Sequence, residues 1–251
     1  MPYDGYLGAD IDTVKVLRKF LTDRSSGVSI PAAIILETIQ AEGGVNVASI
    51  EWLQEIEKIC REFDIILIVD DVQVGNGRSS DFFSFERAGI KPDIVVLSKA
   101  IGSGMPLSIV LIKPELDIWK PGEHTGTFRG NNLSFVAAAK TLEYWKSPEF
   151  SHSLKEKSKL LKELLEAIRL KYPQLIIEIR GYGLIYGIVV PKEGFCTSVS
   201  NEAFKKGVII ELAGPNGEVL KFLPPLTIDV KTLKRGVQII EKSIDKVVRE
   251  V

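Results

Sequence analysis

The chain has 251 residues, 45% hydrophobic and 26% charged, which is typical of a globular protein and excludes a disordered one. Its formal net charge of -1 gives no long-range attraction to nucleic acid or to an anionic membrane, so neither is an expected partner. Two cysteines without a C-x-x-C pair and two histidines exclude a disulfide framework and a histidine-rich metal site. With no membrane-length apolar run and no signal-peptide character in the first ten residues, we expect a cytoplasmic protein.

Short apolar runs alternate with helical patterns from the N-terminus to about residue 115. The candidate strands are Ala32–Leu36, Ile65–Val69, Ile94–Leu97 and Leu107–Ile112. Between the first two, apolar residues of the segment 49–63 recur at helical spacing, which predicts a strand–helix–strand unit with a mainly parallel sheet. Each run is too apolar for a strand with one face in water, so we expect helices on both faces of the sheet.

The pattern of predicted strands and helices changes in the second half of the chain. The change follows a Pro-, Gly- and Thr-rich segment at 114–130 and a predicted helix from Leu133 to about Lys146. We predict a domain boundary at Ser147-Pro148, which separates residues 1–147 from residues 148–251. The predicted strands beyond it are Leu175–Ile179, Leu184–Val190, Val208–Leu212 and Val219–Leu223. A final amphipathic helix, capped by Asp229, completes the pattern of a small α+β domain.

A carboxylate and a lysine each follow a predicted buried strand. Asp70 ends the run IILIVD, and Lys99 follows IVVLS 29 positions later. Because ligands bind beyond the carboxyl ends of parallel strands, these two side chains can hold opposite ends of one flat cofactor. The lysine can form a Schiff base with an aldehyde, and the aspartate can pair with a protonated ring nitrogen, as pyridoxal 5'-phosphate requires. The small-residue loop AIGSGMP after Lys99 allows close backbone approach, and we expect a partly desolvated amine there.

Other interpretations of the same residues remain at this point. Asp70 with Asp71 could be the magnesium-binding strand of a nucleotide hydrolase, but the required loop G-x-x-x-x-G-K-[ST] is absent from the sequence. The two acids could also form a solvated turn at the end of a strand. Lys99, taken alone, would be a surface lysine in most proteins.

Longer segments of the sequence identify a protein family more specifically than the pair Asp70 and Lys99 does. The segments LIVDDVQVGNGR, VVLSKAIGSGMPLS and GEHTGTFRGNN resemble the class III aminotransferases, which belong to the fold type I superfamily of pyridoxal-phosphate enzymes. Within that family, PYDGYLG, FFSFERAGIKPDIVVLSK and LDIWKPGEHTGTFRGNN are similar to the subgroup that acts on 2,4-diaminobutyrate and 2-oxoglutarate. The resemblance covers essentially the whole chain. It implies an α/β fold: part of a fold type I large domain over residues 1–147, with a small C-terminal α+β domain over residues 148–251.

The resemblance implies a role for each of five residues. Asp70 pairs with the pyridine nitrogen, Val72 packs on the ring face, and Gln73 donates to the phenolic oxygen of the cofactor. Lys99 forms the Schiff base and then moves a proton between the substrate carbon and the cofactor carbon. Thr127 reaches the cofactor phosphate of a neighbouring subunit, which implies a homodimer with a shared active site. No metal is implied.

Two further residues are candidates for substrate binding. In several family members, the glutamate matching Glu42 pairs with an arginine that precedes F-x-P-P-L, and this arginine alternates between the glutamate and a substrate carboxylate. Here Lys221 stands at that position, in LKFLPPL. Lysine binds a carboxylate as a point charge, without the two-pronged geometry of arginine. A structural role for Glu42 in its loop is the alternative.

The reaction implied by the resemblance is transfer of an amino group from glutamate to L-aspartate 4-semialdehyde, giving 2,4-diaminobutyrate and 2-oxoglutarate, or the reverse. Two alternatives remain: a class III enzyme acting on another ω-amino acid, or a catalytically incompetent fragment. The proteins of the family are longer at the N-terminus, where they carry the segment that holds the phosphate within one subunit. The chain is therefore expected to correspond to the C-terminal portion of an aminotransferase.

Overall fold

The computed structural model describes residues 1–8, 10–127 and 129–250. The helices in these residues are α1 (Thr13–Thr22), α2 (Ile50–Glu62), α3 (Asn132–Leu142), α4 (Pro148–Lys171), α5 (Phe195–Lys205) and α6 (Val230–Arg249). The strands are β1 (Ala33–Leu36), β2 (Ile39–Gln40), β3 (Asn46–Val47), β4 (Ile66–Asp70), β5 (Ile94–Leu97), β6 (Ile109–Ile112), β7 (Glu178–Tyr182), β8 (Ile185–Val189), β9 (Glu211–Ala213) and β10 (Val219–Phe222). None of the helices just named has both the length and the apolar content needed to cross a lipid bilayer. The chain divides into two units, and neither is continuous in sequence.

The first unit comprises residues 1–38, 48–76 and 83–146. Its sheet has the strand order β1-β4-β5-β6, in which β1, β4 and β5 are parallel and β6 is antiparallel to β5. The helix α2 connects β1 to β4, because parallel neighbours require a crossover of this kind. The mainly parallel sheet predicted from the sequence is thus confirmed.

One face of this sheet carries the core of the first unit. The helix α2 begins after Ser49, whose hydroxyl accepts a hydrogen bond from the Trp52 N–H at 3.2 Å. Residues of α1, α2 and the inward-facing positions of β1 and β4 form a buried apolar cluster: Leu17, Leu21, Ile34, Leu36, Leu53, Ile56, Ile59, Leu67 and Val69. On the opposite face Ile35 is 63% exposed, so the described residues leave that side of β1 uncovered.

The second unit comprises residues 39–47, 77–82 and 147–251. Its antiparallel sheet has the order β7-β8-β10-β9, and a separate hairpin pairs β2 with β3. Asp229 caps α6 by accepting a hydrogen bond from the Thr232 N–H at 2.8 Å, as predicted. The predicted strands at 175–179 and 208–212 are wrong in their bounds. Ile176 and Ile210 are buried by packing, which requires no place in a strand.

One row of residues crosses the second sheet from edge to edge. Arg180 of β7 lies opposite Gly187 of β8, and Gly187 lies opposite Lys221 of β10. Lys221 in turn lies opposite Glu211 of β9. Because Gly187 has no side chain, the loop of the β2–β3 hairpin can pack above it: a Cβ at Gly187 would lie 3.2 Å from Cγ2 of Val45. The hairpin therefore covers this row.

We expect Gly187→Ala to lower the free energy of unfolding by about 1–3 kcal/mol, because the new methyl group overpacks the hairpin contact. Its Cβ would lie 2.6 Å from Cγ1 of Val219, well inside normal contact. Urea unfolding followed by circular dichroism measures the change. Gly236→Ala in α6 is the control: its Cβ would meet no atom within 4 Å, and alanine should stabilise the helix by up to about 1 kcal/mol. Equal stabilities of the two variants would contradict the packing at Gly187.

Candidate functional site

The strands β4 and β5 end side by side, and a residue predicted to hold a cofactor lies at the end of β4 and another just beyond the end of β5. Asp70, the last residue of β4, pairs with Val96 of β5, and the Asp71 N–H donates to the Val96 carbonyl at 2.9 Å. Ser98 and Lys99 follow β5 directly. The structure therefore places Asp70 and Lys99 at the same carboxyl edge of the sheet, the usual place for a ligand in such folds.

Lys99 begins a short 3-10 helix, Lys99–Gly102, with its backbone at φ +51°. This left-handed conformation is unfavourable for a residue with a Cβ by about 1–2 kcal/mol. The Ser98 hydroxyl donates to the Leu107 carbonyl at 2.7 Å and holds the following loop closed. Lys99 itself is exposed. The sequence predicted a partly desolvated amine at Lys99, and among the described residues this prediction is wrong. The side chain of this 3-10 turn that is directed inward is that of Ile101.

Asp70 and Asp71 have different surroundings although they are adjacent. Asp71 is 1% exposed; its Oδ2 accepts from the Ser84 N–H at 3.0 Å, and its other oxygen accepts from the Ser84 hydroxyl. The Thr38 hydroxyl donates to Ser84 Oγ at 2.5 Å and extends this buried network. Asp70 is half-buried, and its Oδ1 accepts from the Val72 N–H at 3.0 Å. Both oxygens of Asp71 are therefore occupied in the interior, and Asp70 is the carboxylate placed to accept from a ligand.

Burial raises the pKa of Asp71 from 3.8 to about 6, although the hydrogen bonds from Ser84 oppose the rise. Asp71 is therefore protonated to a greater extent in the folded protein than in the unfolded chain between about pH 4 and pH 6, so its contribution to stability falls as pH rises through that window. We expect Asp71 to lower the free energy of unfolding by about 2–3 kcal/mol between pH 4 and pH 7. Urea unfolding at a series of pH values measures this slope. Asp71→Asn should flatten it, and an unchanged slope in the variant would contradict the assignment.

The other predicted cofactor residues lie in loops of the first unit. Val72 and Gln73 follow Asp70 directly and are half-buried. Thr127 is exposed in the loop before α3, so its predicted contact with a neighbouring subunit stays a prediction. Asn131 has a structural role: its side chain caps α3 by accepting from the Leu133 N–H at 3.0 Å.

In the second unit, Lys221 lies between two carboxylates. Its Nζ is 2.5 Å from Oε1 of Glu42 and 3.1 Å from Oε2 of Glu211. The Lys221 side chain is 0% exposed, whereas those of Glu42 and Glu211 are 67% and 62% exposed. The structure thus brings together Glu42 and Lys221, which are 179 positions apart, and their role toward substrate stays a prediction.

Glu211 was not predicted from the sequence, although a signal for it exists. The segment Gly214–Pro215–Asn216–Gly217 is a turn sequence between two apolar runs, which predicts a hairpin. The observed register of that hairpin sets Glu211 opposite Lys221. The Gly214 N–H also donates to the Glu42 carbonyl at 2.9 Å, which holds the hairpin turn of residues 41–44 beside β9.

Two further features of the described residues concern metal binding and open space beside α6. Within the described residues, no group of three or more His, Cys, Asp or Glu side chains is placed to hold a metal ion. A pocket of about 440 Å³ opens beside α6, and most of its lining is apolar. Glu211 and Lys221, the charged residues of that lining, pair with each other.

Comparisons with a family profile, with known sequences and with solved structures agree with one another. Residues 14–244 match the sequence profile of the family Aminotransferase class-III. The chain is 60% identical over 250 residues to the diaminobutyrate–2-oxoglutarate transaminase of Wolinella succinogenes, and 53% identical over 249 residues to that of Halalkalibacterium halodurans. These alignments cover 100% and 99% of the chain. The chain spans only about 58% of the length of each of these relatives.

Solved structures of aminotransferases are also similar to this chain. The acetylornithine aminotransferase of Elizabethkingia anophelis matches with a TM-score of 0.82 at 28% identity, over 93% of this chain and 58% of that one. The N-acetylornithine aminotransferase of Stenotrophomonas maltophilia K279a matches with a TM-score of 0.78 at 30% identity, over 88% of this chain and 58% of that one. The predicted fold class, part of a fold type I large domain with a small α+β domain, is confirmed.

Proposed function

Because the chain belongs to the class III aminotransferases, we propose that it transfers an amino group from glutamate to L-aspartate 4-semialdehyde, or runs the reverse reaction, with pyridoxal phosphate as cofactor. The products of the forward reaction are 2,4-diaminobutyrate and 2-oxoglutarate. The observation that carries the proposal is the placement of Asp70 and Lys99 at the carboxyl ends of two adjacent parallel strands. The choice of substrates is supported by the names of relatives that are 60% and 53% identical.

The residues at this edge fit the cofactor. Asp70 offers a half-buried carboxylate, and the exposed amine of Lys99 is open to an aldehyde. The positive φ of Lys99 is backbone strain of the kind that clusters at functional sites. When bound, pyridoxal phosphate supplies a carbonyl that takes up the amino group and a protonated ring that withdraws electrons from the carbon losing its proton.

Each residue then has a chemical task. Asp70 would accept the N–H of the pyridine nitrogen and keep that nitrogen protonated through a charge-assisted hydrogen bond. Val72 would pack against the ring, and Gln73 would donate to its phenolic oxygen. Lys99 would anchor the cofactor and would serve as the base that takes the proton from Cα of glutamate.

We assign the substrate carboxylate to Lys221. Glu42 lies in a hairpin turn and its side chain is 67% exposed, so this side chain can turn into solvent and leave the ammonium to a substrate carboxylate. When no such carboxylate is bound, Glu42 returns to Lys221. This exchange allows two amino donors of different charge to be used in turn.

We further propose that the working form is a cytoplasmic homodimer, in which Thr127 would contact the cofactor phosphate held by the neighbouring subunit. Cys60 and Cys196 are free, buried thiols, which is compatible with the reducing cytoplasm.

Absorbance spectroscopy tests the proposed function. Titration of the chain with pyridoxal phosphate should give a visible band that is absent from Lys99→Ala. L-glutamate or 2,4-diaminobutyrate should then convert this band to the near-ultraviolet absorbance of the aminated cofactor. Failure to form the band would support a catalytically incompetent fragment. Conversion by 4-aminobutyrate but not by 2,4-diaminobutyrate would support a class III enzyme for another ω-amino acid.

A further inference from the structure

We infer that the pocket beside α6 binds a small amphiphilic anion, an aliphatic chain that ends in a carboxylate. The aliphatic chain occupies the apolar interior of the pocket, and the carboxylate lies against three cations of α6: Lys231, Lys234 and Arg235. The inference goes beyond the proposed transamination and does not depend on it.

The interior of the pocket suits an aliphatic chain. The pocket lies within the second unit and has a volume of about 440 Å³, which is in the size range of small-molecule sites. Its walls come from the segment before β9, the segment after β10 and the first turns of α6, and they include Val208, Ile209, Leu223, Pro224, Leu233 and Val237. Ile209 is 82% exposed, so a chain bound against it removes apolar surface from water, which is favourable.

Gly236 keeps this pocket open. It lies in the interior of α6 and lines the pocket, and a Cβ at this position would meet no atom within 4 Å. Glycine is less favourable than alanine inside a helix, and no close contact requires a glycine here. The open space beside Gly236 is therefore available to a ligand.

The three cations border the part of α6 that lines the pocket. Arg235 is three residues from Thr232, and Lys234 is three residues from Val237; Thr232 and Val237 both line the pocket. Residues three or four apart are neighbours on a helix surface, so cations lie on both sides of the lining residues. All three cationic side chains are exposed, and an anionic group at the mouth of the pocket can reach them.

These cations are placed unfavourably unless an anion is bound. Lys231 is three residues from Lys234 and four from Arg235, and like charges at these spacings repel each other. Lys231 also lies in the first turn of α6, where the helix dipole disfavours a cation. Among the described residues, none of the three forms an ion pair. A bound carboxylate relieves this repulsion.

The other charges near the pocket already have partners. Glu211 lines the pocket and pairs with Lys221 at 3.1 Å. Asp229 accepts from the Thr232 N–H at 2.8 Å and from the Thr232 hydroxyl at 2.7 Å. The proposed role of Lys221 toward substrate is therefore separate from this site, and the exposed cations of α6 bind the carboxylate of the amphiphile.

Isothermal titration calorimetry of the full 251-residue chain at low salt tests the inference with two probes. Octanoate has the aliphatic chain and the carboxylate, and 1-octanol has the chain without the charge; both should bind the wild type. Combined replacement of Lys231, Lys234 and Arg235 by Gln should weaken octanoate binding by roughly 3- to 10-fold and leave octanol binding unchanged. Gly236→Leu fills the pocket and should weaken the binding of both probes by at least about 10-fold.

Two further variants serve as controls. Lys242→Gln removes a charge from an exposed position of α6 that does not line the pocket, and it should change neither affinity. Gly236→Met is a second filling variant, which replaces Gly236→Leu if thermal melting shows that the latter is unfolded.

The inference is overturned if the wild type fails to bind octanoate or octanol, if the filled variant binds both as the wild type does, or if the triple variant binds octanoate unchanged. Displacement of octanoate by L-glutamate would place the carboxylate at Lys221 and would also overturn it. Binding to phosphatidylglycerol vesicles without binding of octanoate would overturn it in favour of a membrane surface. The proposed function is judged separately, by the visible band that depends on Lys99.

Discussion

Lys99→Ala is expected to lower the rate of amino transfer by at least about 10,000-fold, because alanine offers neither a covalent anchor nor a base. The measurement is single-turnover conversion of the cofactor absorbance by L-glutamate. The variant should fold normally, since Lys99 is exposed and the loop after it is held by the hydrogen bond from Ser98 to Leu107. A variant that kept both the visible band and its conversion would remove Lys99 from the proposed mechanism.

Lys99→Gly separates chemistry from backbone strain. Glycine adopts φ +51° without the steric penalty of a Cβ, so this variant should be more stable than Lys99→Ala by about 1 kcal/mol. Both variants should be equally inactive. Urea unfolding of the two proteins gives the comparison, and equal stabilities would show that the left-handed backbone at this position stores no strain.

Asp70→Asn is expected to lower the rate by about 100- to 1,000-fold while changing the free energy of unfolding by no more than about 0.5 kcal/mol. The asparagine carbonyl can still accept from the Val72 N–H, which preserves the local turn. It carries no negative charge, however, and cannot keep the pyridine nitrogen protonated. The single-turnover rate with L-glutamate and urea unfolding provide the two measurements.

The neighbouring substitution Asp71→Asn is the matched control. Because Asp71 is buried and bonded to Ser84, its neutralisation should change the pH dependence of stability and leave the rate within a few-fold of the wild type. A loss of activity as large as that of Asp70→Asn would contradict the separate roles of the two carboxylates.

Local features of the sequence predicted much of the fold. The helix over residues 49–63 was predicted because its apolar spacing is encoded within one short segment. The bounds of β7 and β9 were wrong because apolar residues next to them, such as Ile176, are buried without pairing. The antiparallel direction of β6 could not be predicted, since it depends on the path of the chain and not on the residues of the strand.

The sequence by itself determined that an aspartate and a lysine end two buried strands, and which family the surrounding segments resemble. Only the tertiary structure decided that Asp71 is buried and bonded to Ser84 while Asp70 is half-buried and accepts from the Val72 N–H, and that Lys99 is exposed. It also decided that Lys221 has a second counter-ion in Glu211. The physical reason is that a pattern along the chain reports whether a segment is buried, whereas the partner of a buried charge is set by packing between segments as much as 179 positions apart.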